Sequence, residues 1–354
     1  MTPKFILFYL PRSTPTGPYV RIAPEEVHTA DFEAFRTIHR VGSDWDKGKF
    51  YKGQVPSQTT DENSGVFGTR SNQKASHRRR LFQAAGTKKV AIEWEPEIKA
   101  LATLMVQKIK NELKEHGSSD VMKWLTFYTS DVVGSLAFGH SFHHIENGTK
   151  GRLLRDVETM MPIIGIRMEM PWTKPIMDNL PTWCPGSASE LWRRTEGYGK
   201  DGVRATRRAQ TDFNTKTIFS KMVLEDAKDQ SVPDSVIEQE ASNIIIAGTD
   251  STSMTLTYLI YTVLRHPHVK QELVAELNTC TADPNLQELE TKIYLNNVIT
   301  ESMRLHPGVP GSLTRVVPKG GETALKYKLP AGTEIGTQAY TFQRDPSVFD
   351  DPLT

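Results

Sequence analysis

What the chain has little of narrows it first. Only two cysteines, Cys184 and Cys280, occur in 354 residues. That is too few for a disulfide framework, and they have no metal-type spacing, so a reducing compartment fits. An excess of one charge is missing as well: Lys+Arg 43 against Asp+Glu 42 leaves a formal net charge of +1, and nothing global recruits nucleic acid or an anionic membrane. Long apolar runs are also absent. The one near the start, Phe5 to Leu10, is far shorter than the roughly 20 residues of a transmembrane helix and shorter than a usual signal-peptide core. The chain as it stands therefore reads as unanchored and cytoplasmic. No internal repeat, GxSxG elbow, P-loop or zinc spacing occurs, which leaves those enzyme classes without their marks.

What is present is ordinary in amount, 38% hydrophobic and 24% charged, enough for a sizeable core in one large helical unit. Residues 11–18 are turn-rich and lead into Tyr19-Val20-Arg21-Ile22, whose alternation suits a short strand. Asp44 to Ser76 is polar and rich in Gly, Ser, Gln and Asn, the composition of a long loop. Beyond it helices dominate. Leu101, Leu104, Met105, Ile109 and Leu113 fall at three- and four-residue steps and place one apolar stripe on a helix. Gly117-Ser118-Ser119 stops that helix, and Asp120 caps the next. Five prolines between residues 162 and 187 exclude a long helix there, and a basic helical stretch follows from Glu190 to Arg208.

The longest helix expected runs from Asp234 to Arg265, with His266-Pro267 ending it. At 1.5 Å per residue it would span about 48 Å. Its centre is apolar on most sides, which predicts burial. A further helix from Leu289 to His306 stops at Pro307, and short strand-like pieces follow at Thr323 to Leu329 and Thr333 to Tyr340. The fold class is mainly α with a small β part.

Two elements carry chemistry. Ala247-Gly248-Thr249-Asp250-Ser251-Thr252 interrupts the long helix with a glycine and residues that compete for backbone hydrogen bonds. Hydroxyls bonding back to i−4 carbonyls bend a helix and open room for a small ligand, and a buried acid beside two hydroxyls makes a proton relay. A polar patch packed on another helix accounts for the same residues without catalysis. Glu301 and Arg304, at i and i+3 in the later helix, are a commonplace pair on a surface, worth about 0.2–0.5 kcal/mol. Buried, the same pair is an anchor whose breaking costs about 3–5 kcal/mol.

Together the two elements resemble the signatures of the cytochrome P-450 monooxygenases. The resemblance extends over almost the whole chain. Tyr19 to Pro24 looks like the family's first sheet, as in many fungal members, and Ser76 to Phe82 is similar to the helix that grips a haem propionate. Ser130 to Gly134 with Phe138-Gly139, then Arg304-Leu305-His306-Pro307, Pro330-Ala331-Gly332-Thr333 and Arg344-Asp345-Pro346 follow in the family's order. The resemblance implies a single P-450 domain over residues 1–354 that binds haem b. It implies a small apolar organic substrate and electrons from NADPH through a reductase partner. For a complete member it also implies membrane association at the endoplasmic reticulum.

Residue by residue, the resemblance puts Asp250 and Ser251 in the family's acid–alcohol pair, which delivers protons during oxygen activation. Thr252 shares that role. Ala247 and Gly248 match the positions where the helix passes over the haem, Glu301 and Arg304 the structural pair of the proximal side, and Arg79 and Arg315 the propionate contacts. Ala75 stands where a Trp is usual. The basic run His77 to Arg80 reads otherwise as a solvated face, and without a wider basic balance no nucleic-acid partner is expected.

One departure outweighs the rest. The family's iron takes an axial cysteine thiolate, carried on a Phe-Gly-Arg-Cys-Gly type loop expected downstream of Arg344-Asp345-Pro346, and no such loop occurs up to Thr354. Cys184 lies in PTWCPG and Cys280 in NTCTAD, neither of them such a loop. A truncated monooxygenase and a non-catalytic relative acting as a binding or partner protein are the two readings this leaves. The segments expected to line a substrate site are residues 57–75, 160–172 and 308–313.

Overall fold

The alternation at Tyr19 does make a strand. In the computed structural model, which describes residues 17–55, 59–60, 64–83, 88–181, 187–209, 217–220, 234–321 and 327–353, β1 (Tyr19–Ala23) pairs antiparallel with β2 (Glu26–Thr29). The sheet has the order β1-β2-β5-β4-β3, with β3 (Asp46–Lys47), β4 (Arg315–Val316) and β5 (Glu334–Gly336). β2 and β5 run parallel, Val27 opposite Ile335, and Lys47 of β3 lies opposite Arg315 of β4. Tyr19, Ile38, Trp45, Val317 and Ile335 form its core against α1 (Phe32–Ile38). Asp31 caps α1, accepting from the N–H groups of Glu33 and Ala34.

Residues 44–76 are not one long loop. After β3 come a 3-10 helix at Lys49–Gln54, α2 (Gly65–Gly68) and the start of α3 (Asn72–Gln83). Polar composition misleads here because the segment's backbone is paired: Lys47 N–H donates to Arg70 O at 2.9 Å, and Asn72 N–H to Asp46 Oδ1 at 2.8 Å.

Helices make up the rest. α4 (Lys88–His116) carries the expected apolar stripe, but only Leu101 and Met105 of it are buried; Leu104 and Leu113 are exposed. α5 (Val121–Phe138) starts at Asp120, whose side chain accepts from Lys123 N–H, and ends at Gly139 in the left-handed region. α6 (His144–Asn147) is held by buried Asp131 of α5, which accepts from the N–H groups of His144 and Ile145 at 3.0 and 2.9 Å. α7 (Arg152–Glu169) runs straight through Pro162, against expectation. The lost N–H bond is outweighed because Met160, Ile163 and Ile164 around it are buried on Leu191 and Trp192 of α9 (Ala188–Ala209). Between them stand a 3-10 turn, Pro171–Thr173, and α8 (Lys174–Asp178).

The longest helix, α10 (Asp234–Arg265), has the expected bounds. Its burial differs from expectation. The amino-terminal half is packed between α5 and α9, with Val236, Ile237, Ala241 and Ile245 in the core. Beyond Ser253, Met254, Tyr258, Tyr261 and Leu264 are exposed. After α11 (Pro267–Leu277) comes α12 (Leu286–Glu290), separate from α13 (Ile293–Leu305). The single helix expected from Leu289 breaks there because Glu276 of α11 caps α13, accepting from Tyr294 and Leu295 N–H at 3.0 and 2.8 Å. Of the strand pieces expected near the end, residues 322–326 lie outside the described residues, and β5 gives way to α14 (Ala339–Phe342).

Candidate active site

The face of α10 that carries Ala247 and Ser251 is open although the helix around it is packed. Ala247, Ser251 and Thr252 are exposed, while Ile245, Thr249 and Ser253 are buried. Thr129 of α5 holds the buried side, its hydroxyl donating to Thr249 O at 2.9 Å. Ser251 Oγ donates to Ala247 O at 2.6 Å and Thr255 Oγ1 to Ser251 O at 2.9 Å, so the hydroxyls bond back one turn as the composition implied. Gly248 belongs to a different surface: a Cβ there would lie 2.7 Å from Val133 Cγ2, so its smallness serves the approach of α10 to α5. The segment after α13 meets the open face, since a Cβ at Gly308 would lie 3.4 Å from Thr255 Oγ1.

Asp250 is half-buried beside this face. Burial pushes its carboxyl above the usual range, and the negative charge of Glu158 on α7 adds to the push. No hydrogen bond among the described residues joins it to Ser251 or Thr252. The three share one stretch of helix but not one hydrogen-bonded relay.

The two propionate candidates stand on different elements. Arg315 is half-buried on β4, where Nη1 donates to Tyr51 Oη at 2.9 Å and to Thr314 O at 3.0 Å, and the guanidinium lies 5.4 Å from the Tyr51 ring centre. Burial, and secondly the charge of Arg315, lower His39 to about 4. Arg79 on α3 is exposed, 3.5 Å from Ser76 Oγ, whereas its neighbour Arg78 is buried. Sequence reasoning missed Tyr51 and Arg78; a tyrosine between two lysines and one arginine in a run of three offer no signal of burial.

On α13 Arg304 is buried and Glu301 half-exposed. Nε and Nη2 of Arg304 reach Glu301 at 2.7 and 2.6 Å, and Nη1 donates to Gln343 O at 2.8 Å and Pro352 O at 2.9 Å. The pair is thus an anchor for the segment 343–352 more than a closed ion pair. Arg344 adds a bond to Leu305 O.

The sequence model of the cytochrome P-450 family matches residues 7–354. The chain belongs to that family. It is 31% identical to the cytochrome P-450 monooxygenase tazI of Aspergillus terreus, over 95% of this chain and 68% of the relative. It is 32% identical to azaI of Aspergillus niger, over 95% and 71%, and 30% identical to stcB of Emericella nidulans, over 96% and 65%. The chain therefore spans about two thirds of the length of these curated relatives. Its mainly helical P-450 fold with a small sheet agrees with them. Among the described residues no helix is long and apolar enough to cross a membrane.

The family implies haem and a redox partner. The open Ala247–Thr252 face suits the distal side of such a group, and Arg315 and Arg79 are cations suited to its propionates. The thiolate donor that such iron takes has one described candidate. Cys280 is half-buried in the turn after α11, its N–H bonded to Leu277 O at 3.0 Å, near where Asp283 pairs with Lys99 of α4. Cys184 lies outside the described residues. The described residues thus include cations of the kind haem carboxylates pair with, and their one thiol, Cys280, lies in the turn after α11.

Proposed function

We propose that the protein is a haem-dependent monooxygenase, inserting one oxygen atom of dioxygen into a small apolar organic substrate with electrons from NADPH through a reductase. The observation that carries this reading is the open face of α10 with a half-buried carboxyl beside it. Haem, when bound, supplies the oxygen-activating iron chemistry. The chain's own residues do the rest. Ala247 leaves space at the face. Asp250, whose carboxyl burial pushes above the usual range, is a group that takes up and gives back a proton beside that face. Ser251 and Thr252 present hydroxyls on the same stretch; Ser251 Oγ turns from Ala247 O to pass a proton on, and Thr252 stands in for it. Arg315 and Arg79 hold carboxylates at the edge. The exposed Met170, Trp172 and Ile176, with Lys52 and Lys174 beside them, suit contact with a membrane surface, which fits location at the endoplasmic reticulum.

The test is Asp250→Asn in a chain joined past Thr354 to a cysteine-loop segment of the family's type. The change keeps shape and removes the titrating group, so catalysed proton transfer should slow by about 10²-fold or more, with more reductant lost to hydrogen peroxide. Ser251→Ala should slow it less. The measurement is product formed per NADPH oxidised, with haem content and substrate binding intact. Unchanged rate and coupling would make Asp250 a structural polar group and remove the catalytic assignment.

A further inference from the structure

The open face of α10 continues past Ala247. Four residues back along the helix, and so on the same side, stands Asn243. It is half-buried, whereas Gln239 and Glu240 before it are only 7% and 3% exposed. Its side-chain amide is loosely held: Gln239 Nε2 lies 3.3 Å from its Oδ1, and its Nδ2 lies 3.5 Å from Glu240 Oε2. A carboxamide has two N–H groups and two lone pairs on oxygen. Among the described residues, one N–H and one lone pair of Asn243 therefore have no protein partner. Holding α2 on α10 does not account for the side chain, because Glu240 itself accepts from Val66 N–H. Gly65, in the left-handed region, instead leaves the amide its space: a Cβ there would lie 2.5 Å from Asn243 Nδ2. Apolar groups flank this position, Ala247 one turn on and the exposed Phe67 on α2.

We propose that Asn243 is a specificity-determining residue, whose amide takes a hydroxyl or carbonyl oxygen of an otherwise apolar substrate. The proposal rests on the reading of Ala247–Thr252 given above and deepens it. Small-molecule sites are mostly apolar, with a few placed polar groups that fix orientation. The free N–H suits a carbonyl, and the N–H with the lone pair suits a hydroxyl. Binding such an oxygen breaks no short hydrogen bond within the protein. An analogue without the oxygen strips water from the amide and gives nothing back, so it is disfavoured. The helix also sets a distance. Asn243 lies four residues before Ala247 and eight before Ser251, about 6 and 12 Å along the axis at 1.5 Å per residue. A substrate anchored at Asn243 presents to that stretch an atom at about this distance from its oxygen. The position oxidised lies across the molecule from the anchor, not beside it.

Binding to the 354-residue chain, labelled with nitrogen-15 at asparagine, tests this without haem or turnover. The probes are 2-naphthol and 2-methylnaphthalene, flat apolar bodies of nearly equal size that differ by a hydroxyl against a methyl. 2-Naphthol should bind about tenfold more tightly, on the scale of one neutral hydrogen bond. It should also move the side-chain amide signal of Asn243, identified by its loss in Asn243→Leu. Asn243→Leu should bring the two affinities to within about twofold, by weakening 2-naphthol. Ala247→Phe fills the open face and should weaken both probes, which locates the site. A preference for 2-naphthol that is absent in the native chain, or that survives Asn243→Leu, would overturn the proposal and leave the face a purely apolar site. So would an amide signal that bound 2-naphthol does not move, a result that needs no variant to fold. If neither probe binds, the proposal falls together with the reading of the face as a substrate site, so the two failures are told apart.

Discussion

Consider Arg304→Leu beside Glu301→Ala, two ways of breaking the same pair. The guanidinium of Arg304 is 7% exposed and the carboxylate of Glu301 is 52% exposed. Arg304 makes two bonds to Glu301, one each to Gln343 O and Pro352 O, and lies 4.6 Å from the Phe349 ring centre. Removing it takes away all of these contacts and the packing of segment 343–352 on α13, at about 3–5 kcal/mol. Removing Glu301 leaves Arg304 its two carbonyls and the ring. Water screens what is lost, and exposed pairs are worth about 0.2–1 kcal/mol, so about 1 kcal/mol is expected. The bond to Arg304, with its charge, holds the Glu301 carboxyl below its ordinary 4.5 against burial. A lowered carboxyl stabilises the fold above its unfolded value, so this contribution is present above about pH 4.5 and is lost as pH falls further. The assay is the urea midpoint of each variant with the slope unchanged. Glu301→Ala should therefore remain folded, with a cost several times smaller than that of Arg304→Leu. Equal costs for the two would refute the reasoning and return the pair to the closed, buried anchor that sequence suggested.

Two other perturbations follow from buried or capped charges. Arg167 is fully buried, with Nη1 3.0 Å from Asp178 Oδ1 and Nη2 2.8 Å from Val55 O; Arg167→Met should cost about 3–5 kcal/mol, and adding Asp178→Asn should recover at least about 1 kcal/mol of it in a double-mutant cycle. Strictly additive costs would show the pair to be uncoupled. Glu112 is held down to about 2 by Lys123 first, then by Ser119 and Trp124. Its stabilisation is complete above its ordinary 4.5 and fades as pH falls toward 2, so Glu112→Gln should flatten the loss of the urea midpoint over that window; an equally steep loss would contradict it.

The sequence made legible what local rules dictate. α10 has its expected bounds because His266-Pro267 stops it, and Asp120 and Gly117 mark the boundary of α4 and α5 as capping chemistry requires. The Ala247–Thr252 stretch stood out because a glycine and hydroxyls violate the helix pattern around them, and one side of it is open in the structure. What stayed hidden depends on contacts between distant segments. Pro162 reads as a breaker until Leu191 and Trp192 are seen to hold the helix around it. Lys47, Arg78 and Glu240 are buried although long charged side chains are almost always exposed, and nothing along the chain reports it. The exposure of Tyr258 and Tyr261 was illegible for the same reason: an apolar helix centre predicts burial only where a partner exists to cover it.

Glu240 and Asp250 show how one helix places two carboxylates in different surroundings. Burial pushes both above the ordinary carboxylate range. Their neighbours then differ in sign. Around Glu240 the Val66 N–H, Asn243, Arg78 and Lys47 oppose the push without overturning it. Beside Asp250 the charge of Glu158 adds to the push. Ten residues of helix separate the two and turn them to different faces, one against α2 and one beside the open stretch. Asp250→Asn should accordingly change turnover while leaving α2 seated.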